Sequence, residues 1–406
     1  MQWESLFATR ASRMKASEIR ELLKLLEQPD IISFAGGIPD VALFPKEEVS
    51  AAYADILSGG QAEAALQYSV SEGYKPLRDW IATEMARIGI TCTAQNVFIT
   101  SGSQQLLDYI GKLMLSPNDT ALVTWPTYMG ALGAFNAYEP NYDKLVPLSN
   151  RDPQSYVATA TEKGGRVKFA YCVPEFHNPT GVTMPRSERE WLLDLAEQLD
   201  VPIIEDAAYQ SLRYAGEPVP PILALDLARN GGDIEKTRTF YCGTFSKTLA
   251  PGLRVGWVVA NSEVVRKLVL IKQAGDLHSS TINQMVITQV AGRIYDEQIA
   301  KIRAAYDHRR LRMLHALETH MPEGVEWTKP EGGMFVWVTL PTGFDGADLL
   351  AKAIERKRIA FVPGKAFFAD GTGENTIRLS FSCASDAMID QGIERLGRLI
   401  REETAA

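Results

Sequence analysis

One lysine of this sequence has the surroundings that Schiff-base chemistry requires. Lys247 follows the apolar run Thr239–Gly243, and Arg254 comes a short distance after it. Burial beside other cations lowers the pKa of a lysine and makes its amine nucleophilic towards an aldehyde. The hydroxyls of Thr244 and Ser246 and the guanidinium of Arg254 suit a phosphate dianion. We predict a nucleophilic lysine beside a phosphate cup; the alternative is a surface lysine in a loop rich in Gly and Pro.

A carboxylate ends a second apolar run. Asp206 follows Ile203, Ile204 and Glu205, and open α/β sheets bind their ligands beyond the carboxyl ends of the strands. A buried carboxylate is costly unless it meets a cation or several donors. A protonated pyridine nitrogen would be such a cation. The alternative is an aspartate that caps the next helix.

Three further segments carry polar groups where predicted strands end. Asn178–Gly181 is a turn, in which the Asn178 amide could donate to a ring oxygen. Ser101–Gln105 joins a strand to a helix whose free N–H groups could hold phosphate. Tyr128 could stack on a flat heteroaromatic ring. The alternatives are an ordinary turn, a helix cap and a core tyrosine.

A buried arginine completes the set. Arg378 lies among apolar neighbours in Thr376–Ser380 and requires a carboxylate, which an internal Asp or Glu or a substrate's α-carboxylate would supply. Each of these residues is ambiguous alone. Together they combine a Schiff-base lysine, a phosphate cup, an acid for a pyridinium, a stacking ring and a carboxylate clamp, which independent coincidence does not explain.

Short apolar runs alternate with amphipathic stretches through the middle of the chain. The helical stretches include Gln104–Leu115 and Glu188–Leu199, the second with Ser187 as its N-cap. Strands that alternate with helices predict an α/β fold whose mostly parallel sheet is covered on both faces. The predicted strands are Val97–Thr100, Ala121–Thr124, Val167–Val173, Val201–Glu205, Thr239–Gly243 and Val255–Ala260.

The two ends of the chain predict a smaller α+β domain. Residues 14–27 form an amphipathic helix pattern, and a long charged helix runs from about residue 290 towards Met321. Strands near Met334–Leu340 and Thr376–Phe381 follow, before a final helix. The predicted division is an N-terminal arm (1–15), the N-terminal part of the small domain (16–44), a large domain (45–300) and the C-terminal small domain (301–406).

Composition excludes several classes of protein. The chain has 406 residues and a formal net charge of −8, so it has no general attraction for nucleic acid or anionic membranes. No apolar run approaches the ~20 residues that span a bilayer, and the N-terminus lacks the apolar core of a secretion signal. The four cysteines form no CxxC pair. We expect a cytoplasmic protein without a metal site.

The chain resembles the fold-type I, class I/II PLP-dependent aminotransferases. Phe245-Ser246-Lys247, Gly252-Leu253-Arg254 and Asn178-Pro179-Thr180-Gly181 carry the superfamily resemblance. Ala16–Arg20, Phe34-Ala35-Gly36-Gly37 and Tyr68 make it most similar to the branch of 2-aminoadipate and kynurenine aminotransferases. The resemblance covers nearly the whole chain. It implies a large domain whose mostly parallel seven-stranded sheet is sandwiched by helices, and a smaller α+β domain.

The resemblance also implies a role for each matching residue. Lys247 forms the internal aldimine with pyridoxal 5'-phosphate (PLP) and then shuttles the proton. Asp206 pairs with the pyridine nitrogen, Asn178 and Tyr209 hold the ring's phenolic oxygen, and Tyr128 stacks on the ring. The implied phosphate ligands are Ser103, Gln104, Thr244, Ser246 and Arg254.

Substrate and subunit contacts follow in the same way. Arg378, with Asn178 and the Gly37 backbone, should clamp the substrate α-carboxylate, and Arg20 should touch the substrate side chain. Tyr68 should reach the phosphate of a neighbouring subunit's cofactor, which implies a homodimer. The chain departs from the family at His177, where Gln or Asn is frequent; this residue either tunes the pocket or packs.

These roles imply transamination from an L-amino acid to a 2-oxo acid with ping-pong kinetics. The donors left open are 2-aminoadipate, glutamate, aromatic and branched-chain amino acids, and 2-oxoglutarate is the expected acceptor. Rival functions are a β-lyase or decarboxylase on the same fold and a non-enzymatic effector-binding module. Motifs that begin near residue 16 leave no room for a DNA-binding head. A nucleotide-dependent dehydrogenase is disfavoured because no G-x-G-x-x-G follows the early strands.

Overall fold

A seven-stranded sheet forms the centre of the computed structural model, which describes residues 3–14 and 30–405. Its strand order is β2-β8-β7-β6-β5-β3-β4; β8 runs antiparallel to both neighbours and every other pair is parallel. The strands of the described chain are β1 (Ile32–Ser33), β2 (Val97–Thr100), β3 (Thr120–Thr124), β4 (Asn141–Leu145), β5 (Val167–Cys172), β6 (Ile203–Asp206), β7 (Thr239–Thr244), β8 (Gly256–Val259), β9 (Glu326–Trp327), β10 (Phe335–Thr339), β11 (Ile359–Ala360), β12 (Val362–Pro363) and β13 (Thr376–Ser380).

Helices cover both faces of this sheet. Neighbouring residues of one strand pack into different apolar clusters: Tyr171 and Ile204 face one cluster, and Ala170 and Ile203 face another. The α-helices of the described chain are α1 (Lys46–Ser58), α2 (Ala62–Leu66), α3 (Lys75–Arg87), α4 (Ser103–Met114), α5 (Met129–Asn136), α6 (Pro153–Glu162), α7 (Arg186–Leu199), α8 (Ile222–Arg229), α9 (Ser262–Gly275), α10 (Thr281–His320), α11 (Gly346–Lys352) and α12 (Asp386–Thr404). The predicted α/β fold is confirmed.

The six strands predicted from apolar runs are all present, each within two residues of its expected ends. The residues alone did not indicate β4, which completes the seven strands that the family resemblance implied. It lies at the edge of the sheet, and most of its residues are only half-buried. An edge strand that includes Asn141, Asp143 and Lys144 produces no apolar run.

Two predicted helix starts are wrong. The carbonyl of Pro185 accepts from the backbone N–H groups of Glu188 (3.1 Å) and Arg189 (3.2 Å), so α7 begins at Arg186. Ser187 therefore lies inside the first turn and does not cap the helix. The long charged helix begins at Thr281 rather than near residue 290, because the Ser280 side chain caps its first turn.

A second, smaller sheet lies towards the C-terminus. Its order is β12-β13-β10-β9, all antiparallel, and α12 packs against α10. Strand β1 pairs in parallel with β11, so Ile32 and Ser33 join the C-terminal part of the chain. The helix predicted over residues 14–27 lies, apart from Met14, outside the described residues. The proposed boundary at residue 300 falls inside α10, and the domain division remains a prediction. No described helix is long and apolar enough to cross a membrane.

Candidate active site

Four of the predicted site residues lie at the carboxyl ends of parallel strands, at one edge of the central sheet. Tyr128 follows β3, Asn178 follows β5, Asp206 ends β6 and Lys247 follows β7. Because parallel strands end at the same edge, these side chains meet there. The Lys247 amine lies close enough to Asp206 for each to alter the pKa of the other.

Lys247 is held by a short 3-10 helix that begins where β7 ends. The Thr244 side chain starts this helix by accepting from the Ser246 backbone N–H at 3.1 Å. The Lys247 Nζ donates to the carbonyl of Gly37 at 3.0 Å. Burial, then the nearby cations Arg378 and Arg254, lower the pKa of Lys247 to about 8. A neutral, nucleophilic amine is therefore accessible near neutral pH.

Asp206 is buried with one oxygen engaged and one free. Its Oδ2 accepts a 2.8 Å hydrogen bond from the Tyr171 hydroxyl, whereas its buried Oδ1 has no hydrogen-bond partner. Burial raises the pKa of Asp206 to about 6, against the Tyr171 hydroxyl, the Ala208 backbone and the Lys247 charge, which lower it. An unpartnered carboxylate oxygen in such a place fits a protonated ring nitrogen.

Arg378 lies on β13 and reaches across to the central sheet. It is 1% exposed, and its Nη1 and Nη2 donate to Asn178 Oδ1 (2.8 Å) and to the carbonyl of Ala35 (2.9 Å). Its guanidinium carbon lies 4.2 Å from the centre of the Phe335 ring, and its Nε has no partner. Burial lowers the pKa of Arg378 to about 10. No carboxylate of the described residues pairs with it, so the internal Asp or Glu considered above is not found there.

Asn178, which bonds Arg378, also contacts Tyr209. Asn178 Nδ2 lies 3.5 Å from the Tyr209 hydroxyl, to which it donates. Burial raises the pKa of Tyr209 and of the nearby Tyr128, the latter to about 12, so both hydroxyls stay protonated. Asn178 therefore links the predicted carboxylate clamp to the residues predicted to surround a ring.

The predicted phosphate ligands surround the N-terminus of α4. Arg254 is exposed, and its Nη2 donates to the Ser101 carbonyl at 3.3 Å. Gly102 has φ +88°, and a Cβ there would lie 2.2 Å from that same Nη2. Thr244 Oγ1 and Ser246 Oγ are 3.0 Å apart, and Ser103 opens the helix. Hydroxyls, a guanidinium and a helix N-terminus suit a phosphate.

Two other predicted residues, Gln104 and Tyr68, have their side chains directed elsewhere. The Gln104 side chain donates to the carbonyl of Gly130 at 2.7 Å, so only its backbone remains for phosphate. Tyr68 is 78% exposed and lies edge-on to His278. Arg20 lies outside the described residues, and its role remains a prediction.

His177, the departure from the family pattern, is buried beside the site. Its Nδ1 lies 2.9 Å from the Thr180 hydroxyl, and its Nε2 lies 3.5 Å from that of Thr124. Burial lowers the pKa of His177 to about 4, so the ring is neutral near pH 7. These contacts support the packing interpretation.

Sequence reasoning missed two groups of the site. Tyr171 holds Asp206, and the Ala35 carbonyl holds Arg378. A tyrosine inside an apolar run resembles a core residue, and a backbone carbonyl carries no signal of residue type. Only the position of Phe34–Gly37 within the family resemblance could have indicated the second contact.

The amine, the unpartnered carboxylate oxygen and the phosphate cup together fit PLP. Residues 29–396 match the family model for aminotransferase class I and II. The chain belongs to this family. Its enzymes use PLP, and this protein is an aminotransferase with that cofactor. No described cluster of His, Cys, Asp and Glu could hold a metal ion.

Named relatives agree with this assignment over nearly their full length. The chain is 45% identical to aromatic-amino-acid aminotransferase 1 of Thermococcus litoralis, covering 99% of this chain and 96% of the relative. The structure of Pyrococcus horikoshii kynurenine aminotransferase in complex with PMP is 44% identical, with a TM-score of 0.90 over 100% of this chain and 99% of that one. The α-aminoadipate aminotransferase of Thermus thermophilus, complexed with N-(5'-phosphopyridoxyl)-L-leucine, is 40% identical, with a TM-score of 0.87 over all of both chains.

Proposed function

We propose that this aminotransferase moves the amino group of an L-amino acid to a 2-oxo acid through a ping-pong cycle. The observation that carries this proposal is the buried Arg378, which has no carboxylate partner among the described residues and lies near Lys247. A guanidinium with an unpartnered Nε in an apolar site suits one α-carboxylate. Amino acids and 2-oxo acids both carry that group.

Four side chains have separate roles in this cycle. When bound, PLP supplies an aldehyde that condenses with amines and a ring that draws electron density from the reacting carbon. Arg378 and Asn178 hold the substrate carboxylate and thereby orient the α C–H bond. Lys247 Nζ then accepts the α-proton and later donates it to the cofactor. General base action of this kind is typically worth ~10²–10⁴-fold in rate. Asp206 Oδ1 keeps a proton on the ring nitrogen.

For the donors we propose 2-aminoadipate, glutamate, aromatic and branched-chain amino acids. Relatives named for aromatic amino acids, kynurenine and α-aminoadipate support the aromatic donors and 2-aminoadipate. The aromatic rings of Phe335 and Phe367 beside Arg378 offer an apolar wall. Arg20, by bidentate pairing, would favour donors with a second carboxylate. 2-Oxoglutarate is the proposed acceptor.

We also propose a cytoplasmic homodimer. Tyr68 is exposed in the single chain, as expected for a side chain that contacts the phosphate site of a second copy. All four cysteines are free, which fits a reducing compartment. Sedimentation of wild type and Tyr68→Phe, combined with cofactor affinity, tests the shared site: the variant should remain a dimer and bind PLP more weakly.

A half-reaction screen tests the function. Single amino acids are added to the holoenzyme, the cofactor absorbance is followed and the products are analysed. We expect stoichiometric 2-oxo acid and pyridoxamine phosphate, and recovery on addition of 2-oxoglutarate. Release of carbon dioxide or of a β-substituent without pyridoxamine phosphate would instead assign a decarboxylase or β-lyase. Arg20→Ala should lose dicarboxylic donors alone; an unchanged donor profile contradicts that role.

A further inference from the structure

Tyr171 and Asp206 lie on the same face of neighbouring strands. The β5–β6 register pairs Tyr171 with Ile204, two residues before Asp206. Because side chains alternate along a strand, Ile204 and Asp206 point to the same face, and Tyr171 shares it. The tyrosine hydroxyl can therefore reach one strand across and donate to Asp206 Oδ2 at 2.8 Å.

The Tyr171 ring is fixed in this orientation by packing. It is fully buried, and Phe135 contacts it edge-on with ring centres 5.7 Å apart. Phe135 is itself packed edge-on against Phe169 at 5.0 Å. A hydroxyl on a ring without room to turn is a preorganised donor.

The hydrogen bond leaves Asp206 with one free oxygen in a site where the carboxylate has no ion-pair partner. Oδ2 is engaged by Tyr171 and Oδ1 has no partner. Asp206 forms no ion pair with any described residue, although the Lys247 charge lowers its pKa. A donor to the charged form of a buried carboxylate favours that form. Tyr171 thus supplies stabilisation that a cation would otherwise provide.

We propose that Tyr171 is a positioning residue of the cofactor site: its hydroxyl holds Asp206 ionised and turned so that Oδ1 alone meets the ring nitrogen of PLP. This inference rests on the role proposed above for Asp206. Tyr171 acts through the Asp206 carboxylate and touches neither substrate nor cofactor itself.

Tyr171→Phe removes only the hydroxyl and keeps the ring that packs on Phe135. Tyr156→Phe is the matched control, because Tyr156 is also fully buried but lies in a different apolar cluster and its hydroxyl has no hydrogen-bond partner. The full-length proteins are stripped of cofactor and titrated with PLP, and the ¹⁵N chemical shift of PLP labelled at the ring nitrogen is recorded. Thermal unfolding of each apoprotein verifies that both variants fold.

For Tyr171→Phe we expect PLP affinity to fall about tenfold, as for loss of a hydrogen bond to a charged group. The nitrogen shift should move towards the unprotonated value, and Tyr156→Phe should match wild type in both. Suppose that Tyr171→Phe keeps the wild-type PLP affinity and nitrogen shift, whereas Asp206→Asn changes both. That result would overturn the inference about Tyr171 and leave the proposed role of Asp206 intact. If Asp206→Asn also keeps both, the proposed role of Asp206 fails, and the inference fails with it.

Discussion

Arg378 Nη1 donates a 2.8 Å hydrogen bond to Asn178 Oδ1, although 200 residues separate the two in the chain. The bond joins β13 of the C-terminal sheet to the loop that follows β5 of the central sheet. The proposed carboxylate clamp therefore exists only when these two parts of the chain pack together. If the proposed clamp is correct, substrate recognition depends on a contact that also joins these two parts of the chain.

Replacing Arg378 by lysine should weaken substrate binding more than turnover. Lysine keeps the charge but lacks the planar guanidinium, which can donate to Asn178 and to a carboxylate at the same time. We expect kcat/KM for amino donors to fall about 100-fold, near 3 kcal/mol, with most of the change in KM. Steady-state kinetics with a series of amino donors measure kcat and KM separately. Arg310→Lys, at a buried arginine that pairs with Asp307 instead, is the control, and an equal loss there would count against a clamp.

The lowered pKa of Lys247 makes cofactor capture depend on pH. Its pKa is about 8, mainly through burial and then through the Arg378 charge. Below this value the amine is protonated and cannot attack an aldehyde, so the rate at which apoprotein captures PLP should rise about tenfold per pH unit and level off above about pH 8. Stopped-flow absorbance follows this reaction.

An ordinary lysine, whose pKa is 10.5, would give a rate that still climbs above pH 9; that profile would contradict the assignment. Arg378→Gln should move the levelling-off to higher pH, because it removes one of the charges that lower the Lys247 pKa.

Asp206 should destabilise the cofactor-free protein at neutral pH. Burial raises its pKa from 3.8 to about 6, so between these values the unfolded chain has released a proton that the folded chain keeps. Rising pH then lowers the free energy of unfolding, by on the order of 3 kcal/mol in all, and the penalty is complete above about pH 6.

Asp206→Asn removes this penalty, because its side chain is uncharged and its oxygen can still accept from Tyr171. The variant apoprotein should be more stable than wild type at pH 8, and the difference should fade as pH falls from about 6 towards 4. Urea unfolding at several pH values measures this. A less stable variant at pH 8 would show that burial of this charge is not the dominant effect.

Gly102→Ala should damage the phosphate cup. The new Cβ would lie 2.2 Å from Arg254 Nη2, and φ +88° disfavours any residue with a side chain. Arg254 must then move, so we expect PLP affinity to fall at least about tenfold, as for loss of a charge-assisted hydrogen bond. Fluorescence titration of apoprotein measures the affinity. Gly133→Ala, with open space around its Cβ, should change nothing; equal effects would exclude the steric cause.

Site residues that follow a buried strand could be predicted from the sequence. Contacts that depend on how strands pair could not. Asp206 and Lys247 follow apolar runs, and a polar residue after a buried strand is visible without a structure. Tyr171 is in the middle of such a run, and its contact with Asp206 follows from the β5–β6 register, which no local pattern specifies. Strand β4 was missed for a related reason, since an edge strand needs only one or two apolar residues.

The proposed mechanism requires a covalent bond between Lys247 and the cofactor aldehyde. Borohydride reduction of the holoenzyme fixes that bond, and peptide mass mapping then locates the pyridoxyl group. We predict a single label on Lys247, with none in Lys247→Ala. A label on another lysine of the wild-type protein, or no label, would contradict the proposed mechanism.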